Sequence, residues 1–253
     1  MPVAVPEVTL FSATSVALDA TVNALRASMA EAKFGRVVLF SDRAPSGLED
    51  AGIEHVPINV IRSKSDYSRF VLHELGKYIT TPHALCVQWD GFVLNGRAWD
   101  ERFLDFDYIG APWPHFSDGH NVGNGGFSLR SKRLLSATAK LPYDDTVAED
   151  VLIGRVCRDL LQAQGIQFAP EEIAKRFSYE RAPATGGEFG FHGAFNLVDL
   201  LPPEELFSVL KALEPQVLTA NEHKELLQSA IRRGYPKTAL LLLARMLRQR
   251  MKT

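Results

Sequence analysis

The chain has 253 residues, of which 46% are hydrophobic, and its 28 Lys plus Arg against 30 Asp plus Glu give a formal net charge of −2. These values exclude wholesale disorder and a protein that coats nucleic acid through bulk charge, and they suit one large domain with or without a small appendage. The two cysteines, Cys86 and Cys157, make neither a disulfide framework nor a metal-type spacing, which points to a reducing, cytosolic compartment. No basic stretch followed by an apolar core opens the chain, and no apolar run approaches the roughly 20 residues of a membrane-spanning helix.

The first third alternates in type. Val8–Ser12 reads as a strand, and residues 18–33 read as an amphipathic helix with Leu18, Val22, Leu25 and Met29 on one side. Gly35 is expected to end that helix. Arg36–Asp42 reads as a second strand, built on an apolar run, Val37–Phe40, of the kind buried in a parallel sheet. His55–Val60 predicts a third strand, Ser65–Tyr78 a helix facing inward through Tyr67, Phe70, Val71 and Leu75, and Ala84–Trp89 a fourth strand stopping at Asp90-Gly91. That order defines an α/β sheet. Residues 100–147 are rich in Gly and Pro and predict loops with short strands. Helix formers return over Glu149–Ala163, and 181–196 is again loop-like. Beyond Pro202 the pattern turns helical, with helices at about 203–213, 221–233 and 236–251. The expected division is therefore an α/β domain over 1–200 and a helical region over 201–253.

Four constellations have chemistry to offer. Gln88-Trp89-Asp90 places an acid at the carboxyl end of an apolar strand, where ligands of open α/β sheets sit and where a carboxylate can hold a divalent cation against phosphate. Its plain alternative is a turn. Asn121–Ser131 carries Gly123, Gly125 and Gly126, which let a backbone approach a ligand closely; a glycine-rich hairpin is the alternative. It is no phosphate loop, because the Walker lysine and the G-x-G-x-x-G spacing are missing. Glu149-Asp150 opens a helix, where acids suit the macrodipole with Asp144 or Thr146 as a cap, but where a general base for a hydroxyl could also stand. His192 lies between aromatic and glycine residues in Gly190-Phe191-His192-Gly193 and is open to metal or phosphate or to a loop hydrogen bond. Several aromatics, Trp89, Trp99, Trp113, Phe116, Phe189 and Phe191, could stack on a sugar or base. A serine triad and zinc spacing are both absent from the sequence.

Taken in order, Val87-Gln88-Trp89-Asp90, Tyr108–Trp113, Val122–Arg130 with its Gly-Gly-Phe, Glu149-Asp150-Val151 and Phe191-His192-Gly193 resemble a bacterial family of uncharacterised glycosyltransferase-like proteins of the GT-A type. The Gly-Gly-Phe and Glu-Asp-Val elements are distantly similar to β-1,3-galactosyltransferase and fringe-type enzymes. The resemblance covers about residues 5–197. It implies a Rossmann-like sheet binding a nucleotide sugar, usually a UDP sugar, with Mn²⁺ or Mg²⁺. Carried over, Asp90 is the last acid of the DxD metal motif, whose first acid is here Gln88, and His192 is the second metal ligand. Asp150 is the general base of an inverting transfer, with Glu149 beside it. Asn124, Gly125 and Gly126 line the donor-sugar and acceptor pocket, together with Gln88 and Trp89 at the strand end. Phe11, Ser12, Ala13 and Asp42 lie near uracil and ribose, and Tyr67 and Arg69 face the nucleotide. Were the metal lost, Arg130, Lys132, Arg176 or Arg181 would have to supply positive charge. The implied reaction is sugar transfer to a glycan or lipid-linked hydroxyl in surface-polysaccharide assembly. The alternative is a catalytically inactive nucleotide- or sugar-binding module on the same fold, and a nucleotidyltransferase is a third reading.

No acid follows Glu225, whereas Arg232, Arg233, Lys237, Arg245, Arg248, Arg250 and Lys252 make a basic end beside the apolar Leu240–Leu243, Met246 and Leu247. Such a helix suits peripheral contact with an anionic membrane, or packing on the domain or on a second subunit.

Overall fold

The computed structural model describes residues 1–250, so Met251 and Lys252, expected in the last helix and its basic end, lie outside the described residues. The chain forms two compact units, Met1–His192 and a second one from Gly193 onward.

In the first unit, β1 (Val3–Ala13), α1 (Leu18–Glu31), β2 (Ala32–Ser41) and β3 (Glu54–Pro57) come in succession. Helix α2 (Lys64–Arg69) runs on through a π turn at Phe70–Glu74 and a 3₁₀ turn at Leu75–Lys77, and leads to β4 (His83–Cys86). After β5 (Tyr108–Ile109) and β6 (Ser128–Ser131) come α3 (Lys132–Thr138), α4 (Glu149–Val151), α5 (Arg158–Ala163), α6 (Glu171–Phe177), β7 (Ser178–Tyr179) and β8 (Gly190–Phe191).

Six strands make one sheet in the order β3-β2-β1-β4-β6-β5. Strands β1 to β4 are mutually parallel, and β6 runs antiparallel to both β4 and β5. The sheet is buried on both faces, as continuous apolar strands require. Alternate residues sort cleanly. Leu10, Val37, Leu39 and Leu85 pack towards α1 with Val22 and Leu25, whereas Phe11, Val38, Phe40 and Cys86 pack towards Phe70, Val71 and Leu75. The expected Rossmann-like α/β sheet and helical C-terminal region are what the structure shows.

Several boundaries differ from the sequence reading. Gly35 does not end α1, since β2 already begins at Ala32. Gly35 instead lies where the β1–β2 register shifts, and a Cβ there would stand 2.1 Å from the Pro6 carbonyl oxygen. The helix expected over Glu149–Ala163 is broken by a π turn at Leu152–Val156. Its first turn is capped by neither Asp144 nor Thr146: the N-cap is Ala148, and the Asp144 carboxylate accepts from Thr146 instead. Helices α3 and α6 fall in stretches that read as loop or carried no assignment.

The second unit holds α7 (Leu197–Leu200), α8 (Pro203–Ala212), α9 (Ala220–Arg232) and α10 (Pro236–Arg250). A reciprocal capping box starts α9: the Thr219 hydroxyl accepts from the Glu222 N–H, and Glu222 accepts from the Thr219 N–H at 2.7 Å. Arg233 pairs with Asp199, and Lys237 with Glu204. Among the described residues no helix is long and apolar enough to cross a membrane.

Candidate active site

The antiparallel direction of β6 builds the site. The carboxyl ends of β1 to β4 share one edge of the sheet, and the amino end of β6 reaches that same edge. The chain leaving β4 and the glycine-rich stretch entering β6 therefore meet there.

After β4, Gln88 and Gly91 exchange backbone hydrogen bonds at 3.0 Å, so Trp89 and Asp90 form the corner of a tight turn. The turn and the strand-end acid are both present. Val93 then bridges to Gly190, and the Leu94 N–H donates to the Phe189 carbonyl. The β7–β8 pair aligns Tyr179 with Phe191 and places Glu180 beside His192. These pairings gather Gln88, Asp90, Glu180 and His192, which are far apart in the chain.

The His192 ring is enclosed by acceptors. Its Nε2 lies 3.2 Å from Gln88 Oε1 and 3.6 Å from Asp90 Oδ1, and its Nδ1 lies 3.2 Å from Glu180 Oε1. Asn124 Nδ2, a donor, lies 3.1 Å from Nδ1 and, beside a protonated ring, donates to Glu180 instead. The Asn124 side chain is oriented by its Oδ1, which accepts from the Gly126 and Phe127 N–H groups, and its backbone takes a left-handed φ of 76° that Asn tolerates. Burial alone would lower the His192 pKa, but Asp90, the Glu180 hydrogen bond and, more weakly, Asp150 outweigh it and raise it to about 9. The imidazole is therefore a cation at neutral pH. Glu180 is held below its usual range by the same partnership, against the upward push of burial.

Asp150 stands next to this group at the start of α4. Its two carboxylate oxygens accept from the Gly125 N–H at 3.1 Å and the Val151 N–H at 2.8 Å. Burial and then the neighbouring Glu149 charge raise its pKa to about 6.

A second layer lies beneath. Arg130 on β6 is fully buried and pairs with buried Glu149 at 2.9 Å. Its Nε donates to Ser128 Oγ at 3.0 Å, and its guanidinium lies 5.6 Å from the Tyr108 ring centroid. Tyr67 joins this layer through its hydroxyl, 3.4 Å from Cys86 Sγ, and burial raises the phenol well above its ordinary pKa. The Glu149 N–H donates to Ser68 Oγ at 3.2 Å. Glu149 is thus committed to Arg130 rather than open to a substrate.

The glycines are explained by close approach. A Cβ on Gly125 would stand 1.9 Å from Glu149 Oε1, and one on Gly126 would stand 2.0 Å from His192 Nε2. The backbone has to run between the two layers with no side chain in the way.

The structure thus brings together Gln88, Asp90, Asn124, Gly125, Gly126, Asp150 and His192, with Glu149 and Tyr67 underneath. Trp89 is half-buried at the turn corner. Ser12 and Ala13 are buried at the end of β1, while Phe11 faces the Phe40 core and its ring is closed to any ligand. Asp42, half-exposed at the end of β2, is kept below the usual carboxylate range chiefly by Ser15, with a smaller contribution from Arg43. Arg69 is turned away from the cluster: it lies over Tyr143 and lines two outer clefts of ≈ 560 and ≈ 460 Å³ that share no residue with the cluster. Among the alternative cations, Lys132 donates to the Gly76 and Ile79 carbonyls, Arg176 pairs with Asp100 and Arg181 is exposed. Glu180 is the residue that the sequence reading missed; only the β7–β8 pairing reveals it.

The expected metal site does not fit this geometry. Among the described residues no group of three or more His, Cys, Asp or Glu side chains is arranged to hold a metal ion. Asp90 and His192, the two expected ligands, are paired with each other, and both ring nitrogens of His192 face acceptor oxygens.

The fold and the cluster define an α/β protein with a polar, charged centre at the edge where the parallel strands end. The chain belongs to the family described as "Protein of unknown function (DUF5672)", whose model matches residues 50–192 and so includes every member of the upper layer. No curated protein matches the chain. Similar solved structures include the mannosyltransferase PcManGT from Pyrobaculum calidifontis in complex with GDP-Man and Mn²⁺, at 11% identity and a TM-score of 0.42, covering 100% of this chain and 78% of that one. The glycosyltransferase GlyE of Streptococcus pneumoniae TIGR4 matches at 13% identity and a TM-score of 0.40 over 76% of this chain, which spans 54% of GlyE's length. A cytidylyltransferase from Leptospira borgpetersenii serovar Hardjo-bovis matches at 8% identity and a TM-score of 0.42, covering 94% of this chain and 97% of that one. At such low similarity the functional reading has to rest on the site's own residues.

Proposed function

We propose that the chain is an inverting glycosyltransferase of the GT-A type, moving a sugar from a nucleotide sugar, a UDP sugar first among donors, to a glycan or lipid-linked hydroxyl. The observation that carries this reading is Asp150: a carboxylate with its pKa raised to about 6, held by a glycine-loop N–H at the sheet edge and adjoining a cationic His192. A general base works best with a pKa near the working pH, and this one is still largely ionised at neutrality.

In the proposed reaction Asp150 takes the proton of the acceptor hydroxyl. The acceptor oxygen bonds to the anomeric carbon as the bond from that carbon to the diphosphate oxygen breaks, and the electron pair leaves with the nucleoside diphosphate. One displacement inverts the anomeric centre. His192, kept protonated between Asp90 and Glu180, ties the turn after β4 to the strand β8 and holds this edge of the site beside Asp150. Arg130 and Glu149 act beneath, fixing the loop and the α4 start that carry Asp150.

The test is release of nucleoside diphosphate from a panel of nucleotide sugars with candidate acceptors. Asp150→Asn is expected to abolish turnover and to leave nucleotide affinity nearly unchanged; a variant that still turns over would remove Asp150 as base. Turnover is expected to survive chelation with EDTA. A strict Mn²⁺ requirement would overturn the reading that Asp90 and His192 are held as an ion pair.

A further inference from the structure

In the second unit, α10 carries an apolar face that no described residue covers. Leu240, Leu243 and Leu247 are 67%, 45% and 53% exposed, while Leu242 on the opposite side is fully buried. At the α-helical rotation of about 100° per residue the three leucines fall within an arc of about 60°. A helix in a water-soluble protein normally presents charge there. Lys237 and Arg248, both exposed, flank one side of the stripe. No acid occurs on α10 or anywhere after Glu225, although seven basic residues do. Arg245 is not part of the face, because it turns to the Lys211 and Leu213 carbonyls at 3.2 and 2.8 Å.

We infer that this face of α10 binds an anionic lipid surface, with the helix lying in the plane of the interface. Three features favour lipid over a second copy of the chain. The leucine stripe is narrow and suits shallow insertion among acyl chains. Its one charged flank, Lys237 and Arg248, is cationic, and the face itself holds no acid with which a second copy could pair them. Glu204, which pairs with Lys237, sits in an exposed pair that contributes little. The helix does not span: no described helix is long and apolar enough to cross a membrane. The inference is independent of the transfer reading, and the test needs no activity.

The experiment is co-sedimentation of the full chain with vesicles of phosphatidylglycerol and phosphatidylcholine, against vesicles of phosphatidylcholine alone. Binding is expected with the anionic vesicles only and should weaken as salt rises. The triple variant Leu240→Asp, Leu243→Asp, Leu247→Asp is expected to lower the vesicle-bound fraction by on the order of tenfold or more. Arg248→Glu should weaken it several-fold. All four side chains are exposed, so the variants are expected to melt like the parent, and that melt is measured in parallel. Absence of sedimentation with anionic vesicles overturns the inference. So does equal binding by the triple variant, or a lipid-free dimer that this variant dissociates.

Discussion

The raised pKa of Asp150 makes a stability prediction that can be read without knowing the substrate. In the folded chain the carboxyl titrates at about 6 against its ordinary 3.8, chiefly because it is buried and then because Glu149 lies next to it. The folded state therefore binds this proton more tightly than the unfolded one. The cost of ionising it is absent below about pH 4 and complete above about pH 6. A shift of about two units at about 1.4 kcal/mol per unit gives a penalty of about 3 kcal/mol. Asp150→Asn removes the charge but gives up one of two acceptors, since only one oxygen remains for the Gly125 and Val151 N–H groups. That loss costs about 1 kcal/mol. The variant should therefore be about 2 kcal/mol more stable than the parent at pH 8 and show no such gain at pH 4. All three tryptophans, Trp89, Trp99 and Trp113, lie in the first unit, so fluorescence-monitored urea unfolding reports on the unit that holds Asp150. A variant that shifts the urea midpoint equally at both pH values, or lowers it at pH 8, refutes the idea that the fold strains this carboxylate.

Three further outcomes are expected. His192, raised from 6.5 to about 9, contributes stability that is whole below about pH 6.5 and is lost as pH rises through about 9, up to about 3 kcal/mol; His192→Gln should flatten that part of the stability–pH curve. Arg130→Met strands the buried Glu149 carboxylate and should cost about 3–5 kcal/mol by urea unfolding, with Arg130→Met/Glu149→Gln recovering a substantial part; an exposed-type loss below about 1 kcal/mol would contradict the buried pair. Gly126→Ala should displace the His192 ring, lowering stability by about 1–3 kcal/mol and shrinking the pH dependence between neutrality and pH 9 along with it.

The sheet was legible because its strands are near-continuous apolar runs separated by an amphipathic helix, and no other packing buries both faces of such strands. The short elements were not. Helix α3 is only Lys132–Thr138, too brief to show a helical period, and depends on Ser131 capping the Leu134 N–H. Gly35 misled because a glycine after a helix usually stops it, whereas here it makes room for Pro6 on the adjoining strand. In the candidate site, Asp90, the glycines, Asp150 and His192 could be picked out, since each stands in a local pattern. Their mutual arrangement could not. The reversal of His192 from expected metal ligand to enclosed cation follows from Glu180, a lone acid in a loop, and from Gln88 reaching a residue 104 positions away. Phe11 likewise sits at the right strand end, but its side chain points to the wrong face.

The two π turns, at Phe70–Glu74 after α2 and at Leu152–Val156 after α4, each hold one residue more than an α-helical turn would. Both follow directly on the turns that carry residues of the site or of the layer beneath it: Tyr67 and Ser68 in one case, Glu149 and Asp150 in the other. Deleting a single residue from either bulge would leave a smoother helix, yet rotate everything before it by about 100° relative to everything after it. Tyr67 would swing off Cys86, or Asp150 off the Gly125 N–H. In an alignment of relatives, a one-position gap in either segment would then mark a chain that has kept the fold and given up the centre, and the two gaps should travel together.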